Sequence, residues 1–190
     1  MGIYATEEHF TLKMLRLNNR RPGPILRFNE DTHWEEEQQL NKFILTDSSL
    51  GFNGTGNIIS TSISVYNNYD FKSKDLLVEE SVNILNDFRN NKKVLKNHFD
   101  LNLWAKYFAI CEVFGASHGT RWHNIRFYYN PDTKLIEPIG FDCGYVSTKS
   151  ILHDAFNDNI KEFSNERYLR AFFQDSIFIK KYIKELKKIN

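Results

Sequence analysis

The stretch that decides the fold is residues 97–142, NHFDLNLWAKYFAICEVFGASHGTRWHNIRFYYNPDTKLIEPIGFD. Its first part predicts a helix that is capped by Asp100 and followed by Gly115, a residue type common just after a helix end. Apolar side chains fall on nearly every face of this helix. Because a helix that is apolar all round is buried, we expect it to form the spine of the core.

A polar turn and a hairpin follow this helix. Residues 125–131 (IRFYYNP) and 134–140 (KLIEPIG) are predicted strands joined by a turn around Pro131. Since arms of near-equal length bring the two ends of a hairpin together, Asn124 and Asp142 are expected to be neighbours. An amide oxygen and a carboxylate beside basic groups are typical of a site that holds Mg²⁺ with a phosphate.

The turn before the hairpin contains His118, Arg121 and His123. This arrangement suits phosphoryl transfer, in which a catalytic-loop Asn and a later Asp share the metal ions. A structural interpretation is also open: Asn124 caps a turn, the histidines lie at the surface or the core edge, and Asp142 supports the loop.

The segments on either side predict further elements. Residues 2–10 and 24–28 are strand-like and are expected to pair as a long-looped hairpin, and residues 59–67 form an irregular strand. Helices are predicted from Ser73 to about Arg89 and from Asp175 onward. The expected inward side chains of the last helix are Phe178, Ile179, Tyr182, Ile183, Leu186 and Ile189.

Composition narrows the functional classes. The 190 residues include 25 Lys+Arg and 24 Asp+Glu, a net charge of +1, which excludes a nucleic-acid binder held by bulk charge. No stretch approaches the roughly 18 apolar residues of a membrane span, and the N-terminus lacks the features of a signal peptide.

Three smaller features carry weaker predictions. Arg20, Arg21 and Arg27 form a basic cluster that suits either phosphate binding or an exposed turn. Cys111 is expected in the core. Cys143 follows a carboxylate, which should disfavour its thiolate, so we do not expect it to act as a nucleophile.

Residues 97–142 closely resemble the CotH family, the spore-coat-protein-H kinases, which have an atypical protein-kinase-like fold. GIYATEEHF (2–10) looks like the G-x-Y-x-x-x-E strand of that family, and PILRF (24–28) looks like the strand after it. The tail FFQDSIFIKKYIKELKKI (172–189) is similar to its late helical segment.

The resemblance implies one partial, α+β, protein-kinase-like domain over residues 1–190, N-terminally incomplete. About 1–67 would supply small-lobe strands, and about 68–190 the helical lobe with its 123–142 hairpin. The implied activity is transfer of phosphoryl from ATP to Ser or Thr of a protein partner, with Mg²⁺. Relatives act at spore coats, on cell surfaces or as secreted modules.

The same likeness implies residue roles. Asn124 and Asp142 match the metal-binding Asn and Asp, with Asp142 also catalytic as the counterpart of the kinase DFG aspartate. Glu8 matches the glutamate of the first motif and is assigned to nucleotide binding, although a solvated strand face suits it equally. Arg121 is assigned to phosphate, although it could equally pair with Glu137.

Three departures from the family pattern matter. Where many members carry a turn Asp, this chain has His118, so either His118 is the catalytic base, or the mechanism differs, or activity is lost. Gly144 stands where some members have another Asp, and the upstream phosphate-binding Lys is missing, so this fragment alone is predicted to be inactive. The alternatives are a catalytically silent binding module and a metal-dependent hydrolase that uses His118, His123 and Asp142.

Overall fold

The computed structural model describes residues 9–31, 61–66, 76–90, 92, 94–144, 150–156 and 167–189. These residues form a mixed fold of helices and one antiparallel sheet, which confirms the predicted α+β class. The helices are α1 Leu12–Leu17, α2 Leu76–Arg89, α3 Leu95–His98, α4 Leu101–Val113, α5 Ile151–Phe156, α6 Arg167–Phe173 and α7 Ser176–Ile189. The strands are β1 Ile25–Phe28, β2 Ile63–Val65, β3 Arg126–Asn130 and β4 Leu135–Ile139.

The four strands lie in the order β2-β1-β3-β4, and every neighbouring pair is antiparallel. The predicted hairpin is confirmed, with Tyr129 opposite Ile136 in the register of β3 and β4. Strand β1 pairs with β2 on one side and with β3 on the other. Residues 2–10, the expected partner of this strand, are therefore not its neighbour. Residues 2–8 of that predicted strand lie outside the described residues.

Helix α1 was not predicted, because residues 11–23 are rich in basic residues and end in Pro22 and Gly23, which is typical of a turn. Thr11 caps the helix: its side chain accepts a hydrogen bond from the backbone N–H of Met14 at 3.2 Å. Met14 and Leu15 are buried in a small apolar cluster with Tyr128 of β3. A helix this short depends on such tertiary packing, which no local pattern reveals.

The prediction that α4 is buried in the core is confirmed on one side of the helix. Asp100 caps it by accepting the N–H groups of Asn102 and Leu103, each at 3.0 Å. Trp104 and Phe108 are fully buried. Ile110 and Val113, however, are 38% and 39% exposed, so the expected burial on every face is wrong.

A cluster of aromatic rings joins α4 to the other helices. The ring of Trp104 lies 5.0 Å from that of Phe172 in α6, and the ring of Phe108 lies 5.9 Å from that of Phe178 in α7. Such edge and tilted contacts stabilise the core beyond the area they bury. Asp175 caps α7 as predicted, with hydrogen bonds at 2.8 and 2.9 Å. Phe178 and Tyr182 point inward, whereas the expectation for Ile183 is wrong because it is exposed.

The outer side of β4 is bound to the start of α4. The carbonyl oxygen of Ile136 accepts hydrogen bonds from the backbone N–H of Asp100 at 3.0 Å and from Trp104 Nε1 at 2.9 Å. Alternate residues of a strand direct their backbone groups to the same side, so Pro138 also faces away from β3. Within the described segments, no helix combines the length and apolar character that crossing a bilayer requires.

Candidate functional site

The turn between α4 and β3 forms the centre of the candidate site. Gly115 ends α4 with a φ of 64°, and the following Ala116 N–H donates to Cys111 O at 2.8 Å. This is the left-handed helix ending expected of glycine. The chain then makes a single 3₁₀ turn, Ser117–Thr120, which places His118 at the root of the hairpin.

His118 and Asp142 are in direct contact. The imidazole Nε2 lies 3.0 Å from Asp142 Oδ2, and the two side chains are 35% and 51% exposed. Asp142 has a φ of 47°, a left-handed conformation that is strained for most residues but tolerated better by Asp. The hairpin therefore returns the chain so that the carboxylate meets the turn that precedes it.

Asn124 lies on the other side of His118. Its side chain is buried, and its Nδ2 donates a hydrogen bond to the His118 backbone oxygen at 3.0 Å. This bond orients the amide and leaves its Oδ1 as the remaining acceptor atom. The structure thus brings Asn124 and Asp142 to the same residue, one to the backbone and one to the imidazole of His118.

The predicted nucleotide-contacting residues have different outcomes. Arg121 lies in the same turn, where its backbone oxygen accepts the N–H groups of Asn124 and Ile125 at 2.9 and 3.0 Å. Both oxygens of Glu137, the residue we considered as a partner for Arg121, are held by Arg20 and Asn130. Glu8 lies outside the described residues.

The three arginines that we predicted as a basic cluster each meet carboxylates. The pairs are Arg20 with Glu137 at 2.7 Å, Arg21 with Asp132 at 2.6 Å, and Arg27 with Glu30 and Asp31 at 3.7 and 3.5 Å. Because the partners lie on different segments, the guanidinium groups are separately neutralised. The phosphate interpretation of this cluster therefore has no support in the geometry.

Arg126 is a feature of the site that the sequence analysis missed. Its side chain is buried, its Nη1 donates to His123 O at 2.5 Å, and its guanidinium lies 4.5 Å from the ring centroid of Phe141. Burial lowers the pKa of Arg126. The cation thus packs against the residue that precedes Asp142. The sequence did contain a signal for this buried cation, because Arg126 stands among the apolar residues of a predicted strand.

The expectation that the Cys143 thiolate is disfavoured was wrong. Although Asp142 raises the pKa of this thiol as predicted, a hydrogen bond from Cys111 outweighs it and lowers the pKa to about 6. The same hydrogen bond, and then burial, raise the pKa of Cys111, which is in the core as predicted. The sequence showed the neighbouring carboxylate, but the approach of the second thiol depends on tertiary packing.

A cavity of about 590 Å³ lies beside the site, between α1, α4 and β4. Its wall includes Met14 of α1, Lys106 and Tyr107 of α4, and Phe141. Tyr107 also donates a hydrogen bond from its hydroxyl to Gly119 O at 2.7 Å, so the cavity and the His118 turn share a wall.

No family model matches this chain, and no curated protein matches it either. Across the segments that the structure describes, no three His, Cys, Asp or Glu side chains are placed to hold a metal ion together. His118, His123 and Asp142 all lie in those segments, so they do not form the three-ligand centre that the hydrolase alternative requires. The site can therefore offer a His–Asp pair and a nearby amide.

Proposed function

We propose that the chain is part of a CotH-type, protein-kinase-like domain that transfers the γ-phosphoryl group of ATP to Ser or Thr of a protein partner. The observation that carries this proposal is the meeting of Asp142 and Asn124 at His118, at the root of a hairpin packed on a largely buried helix. Phosphoryl transfer requires positioning and charge neutralisation more than covalent chemistry, and these groups suit both tasks.

His118 would accept the proton of the attacking hydroxyl. An imidazole that is oriented by a carboxylate is a recurrent proton acceptor, because the carboxylate stabilises the imidazolium that forms. The 3.0 Å contact between His118 Nε2 and Asp142 Oδ2 supplies this orientation. His118 would then serve in place of the turn carboxylate that the family resemblance leads one to expect.

Asp142 and Asn124 would hold Mg²⁺. Their carboxylate and amide oxygens are the hard donors this ion prefers, and one or two carboxylates suffice when substrate phosphates complete the coordination. When bound, the ion would neutralise charge on the phosphates; Arg121, in the same turn, would assist through its guanidinium.

The test uses a full-length parent protein that supplies the small-lobe strands implied by the family resemblance, because residues 1–190 alone are expected to be inactive. It compares Asp142→Asn with the matched control Asp132→Asn, a second exposed carboxylate in the same hairpin. Melting temperatures are measured with and without millimolar Mg·ATP, and phosphate incorporation into a Ser/Thr-rich acceptor protein is followed in parallel. A ligand that binds the native state must raise its apparent stability. The wild type and Asp132→Asn are expected to shift and Asp142→Asn is not; an undiminished shift in Asp142→Asn would refute the metal assignment.

The alternative is a catalytically silent binding module that keeps the kinase-like shell. It is favoured by the direct contact of Asp142 with His118, which occupies one oxygen of the carboxylate assigned to the metal. A folded wild-type parent protein whose melting temperature does not respond to Mg·ATP would support this alternative.

A further inference from the structure

The two cysteines of the chain, Cys111 and Cys143, belong to different elements that pack together around Tyr107 and Gly119. Cys111 lies in α4, four residues after Tyr107, so the two side chains occupy the same face of the helix. Cys143 belongs to the segment of residues 140–144 after β4, which we call the post-hairpin strap. Both cysteines carry free thiols in this structure.

The position of the Cys143 sulfur is well defined by its neighbours. A Cβ atom added to Gly119 would lie 2.4 Å from Cys143 Sγ and 3.1 Å from Tyr107 Oη, so the sulfur is packed against the turn and α4. Because Cys143 Sγ and Tyr107 Oη both lie against Gly119, and Cys111 is one helical turn after Tyr107, the two thiols face the same space. In agreement with this placement, the largest cause of the pKa shift of each thiol is the other thiol. The Cys143 residue is exposed on its other side, whereas Cys111 is only 2% exposed.

We propose that Cys111 and Cys143 form a reversible disulfide site, oxidised by small disulfides such as oxidised glutathione. The Cys143 thiolate attacks one sulfur of the small disulfide, forms a mixed disulfide and releases one thiolate. Cys111 then gives up its proton, attacks Cys143 Sγ and expels the second small thiolate. Two protein thiols are oxidised and one small disulfide is reduced to two thiols, so atoms and electrons balance.

The order of the two steps follows from burial. Only Cys143 is open to a reagent, and only a group already inside the fold can reach Cys143 Sγ from the side of α4. The resulting bond would tie the post-hairpin strap to α4 and would restrain Asp142, the residue before Cys143. This inference does not depend on the proposed phosphoryl transfer, because it requires only the two thiols.

The experiment incubates the full chain with oxidised glutathione at neutral pH and blocks remaining thiols with an alkylating reagent. The intact mass of the protein is then measured, and its modified peptides are identified by peptide mapping. The wild type is expected to lose two hydrogens, retain no glutathione and yield a peptide cross-linked between Cys111 and Cys143. Cys111→Ser is expected to stop with one glutathione on Cys143, and Cys143→Ser to remain unmodified while folded.

Several results would overturn the proposal. Wild-type protein that keeps glutathione on Cys143, or that forms only cross-links between two chains, would show that Cys111 cannot resolve the mixed disulfide. Glutathione on Cys111 in folded Cys143→Ser would contradict the order of attack. The peptide map of the oxidised wild type needs no substitution, so the test stands even if a serine variant fails to fold. The oxidised wild type should also melt at a higher temperature than the reduced protein, and a reductant should reverse the increase.

Discussion

Replacing Gly119 by alanine would place a methyl group in space that the post-hairpin strap already occupies. The added Cβ would lie 2.4 Å from Cys143 Sγ, 3.1 Å from Tyr107 Oη and 3.3 Å from the backbone oxygen of Phe141. Ordinary contacts between such atoms are about 3.5–4.0 Å, so the sulfur must move by roughly 1 Å. Moving the sulfur would also disturb its hydrogen bond to the Phe141 backbone oxygen, which is 3.6 Å away.

Two opposing effects set the free energy of the Gly119→Ala change. Overpacking of this kind costs about 1–3 kcal/mol. Gly119 does not have a positive φ, so alanine also restricts the unfolded chain and regains about 0.4–1 kcal/mol. Overpacking prevails, and we expect a net destabilisation of about 1–2 kcal/mol. In a chain of this size each kcal/mol lowers the melting temperature by about 2–4 °C.

The assay is urea unfolding, followed by circular dichroism, in the wild-type and Cys143→Ala backgrounds. Removing the sulfur removes the shortest contact, so the cost of Gly119→Ala should fall by at least half in the second background. Gly144→Ala is the matched control, because a Cβ there meets nothing within 4 Å and its effect should stay within about 0.5 kcal/mol. Equal costs in both backgrounds, or no loss in either, would refute the packing of the strap against the turn.

Three further predictions concern the frame around the site. Trp104→Phe removes the Nε1 donor to Ile136 O and should lower the free energy of unfolding by about 1–3 kcal/mol in denaturant titrations; an unchanged midpoint would contradict the role of this bond. Asp100→Ala should cost about 1 kcal/mol of the same quantity, whereas Asp100→Asn, which can still cap α4, should be nearly neutral; equal losses would argue against capping. Burial raises the pKa of four tyrosines above the usual value of about 10. The stability that this burial contributes is therefore complete below about pH 10 and is lost as pH rises toward the folded-state pKa. The tyrosines concerned are Tyr107, Tyr128, Tyr129 and Tyr182. Ultraviolet titration of the native protein should show tyrosines that ionise at higher pH than they do in denaturant, and identical curves would refute this burial.

The long elements were predictable because their signals are local. Asp100, the apolar run after it and Gly115 define α4, and the turn around Pro131 defines the hairpin. Helix α1 was missed because its six residues owe their helical state to contacts with Tyr128 rather than to periodicity. The exposed face of α4 was missed for the same reason, since composition does not show which faces have a neighbour.

In the candidate site, too, local signals predicted some features and tertiary packing determined the others. Strand pairing alone implies that the two ends of a hairpin meet, so the spacing predicted Asn124 and Asp142 as neighbours. Their contacts with His118, one to its backbone oxygen and one to its imidazole, were not predicted. The packing of Arg126 on Phe141, and of Cys143 on Cys111, depends on how the strap folds back over the turn and α4. No spacing rule specifies that fold-back, and these contacts became visible only in three dimensions.

The position of Pro138 also affects how this molecule meets its own copies. A sheet margin that offers alternating N–H and C=O groups is a template on which another polypeptide can add a strand and begin an aggregate. Along the outer side of β4, the carbonyl of Ile136 is already bound within the chain, and Pro138 has no N–H to donate. The hairpin that supports the candidate site is thus protected from intermolecular pairing, and a substitution that restores an N–H at residue 138 would weaken that protection.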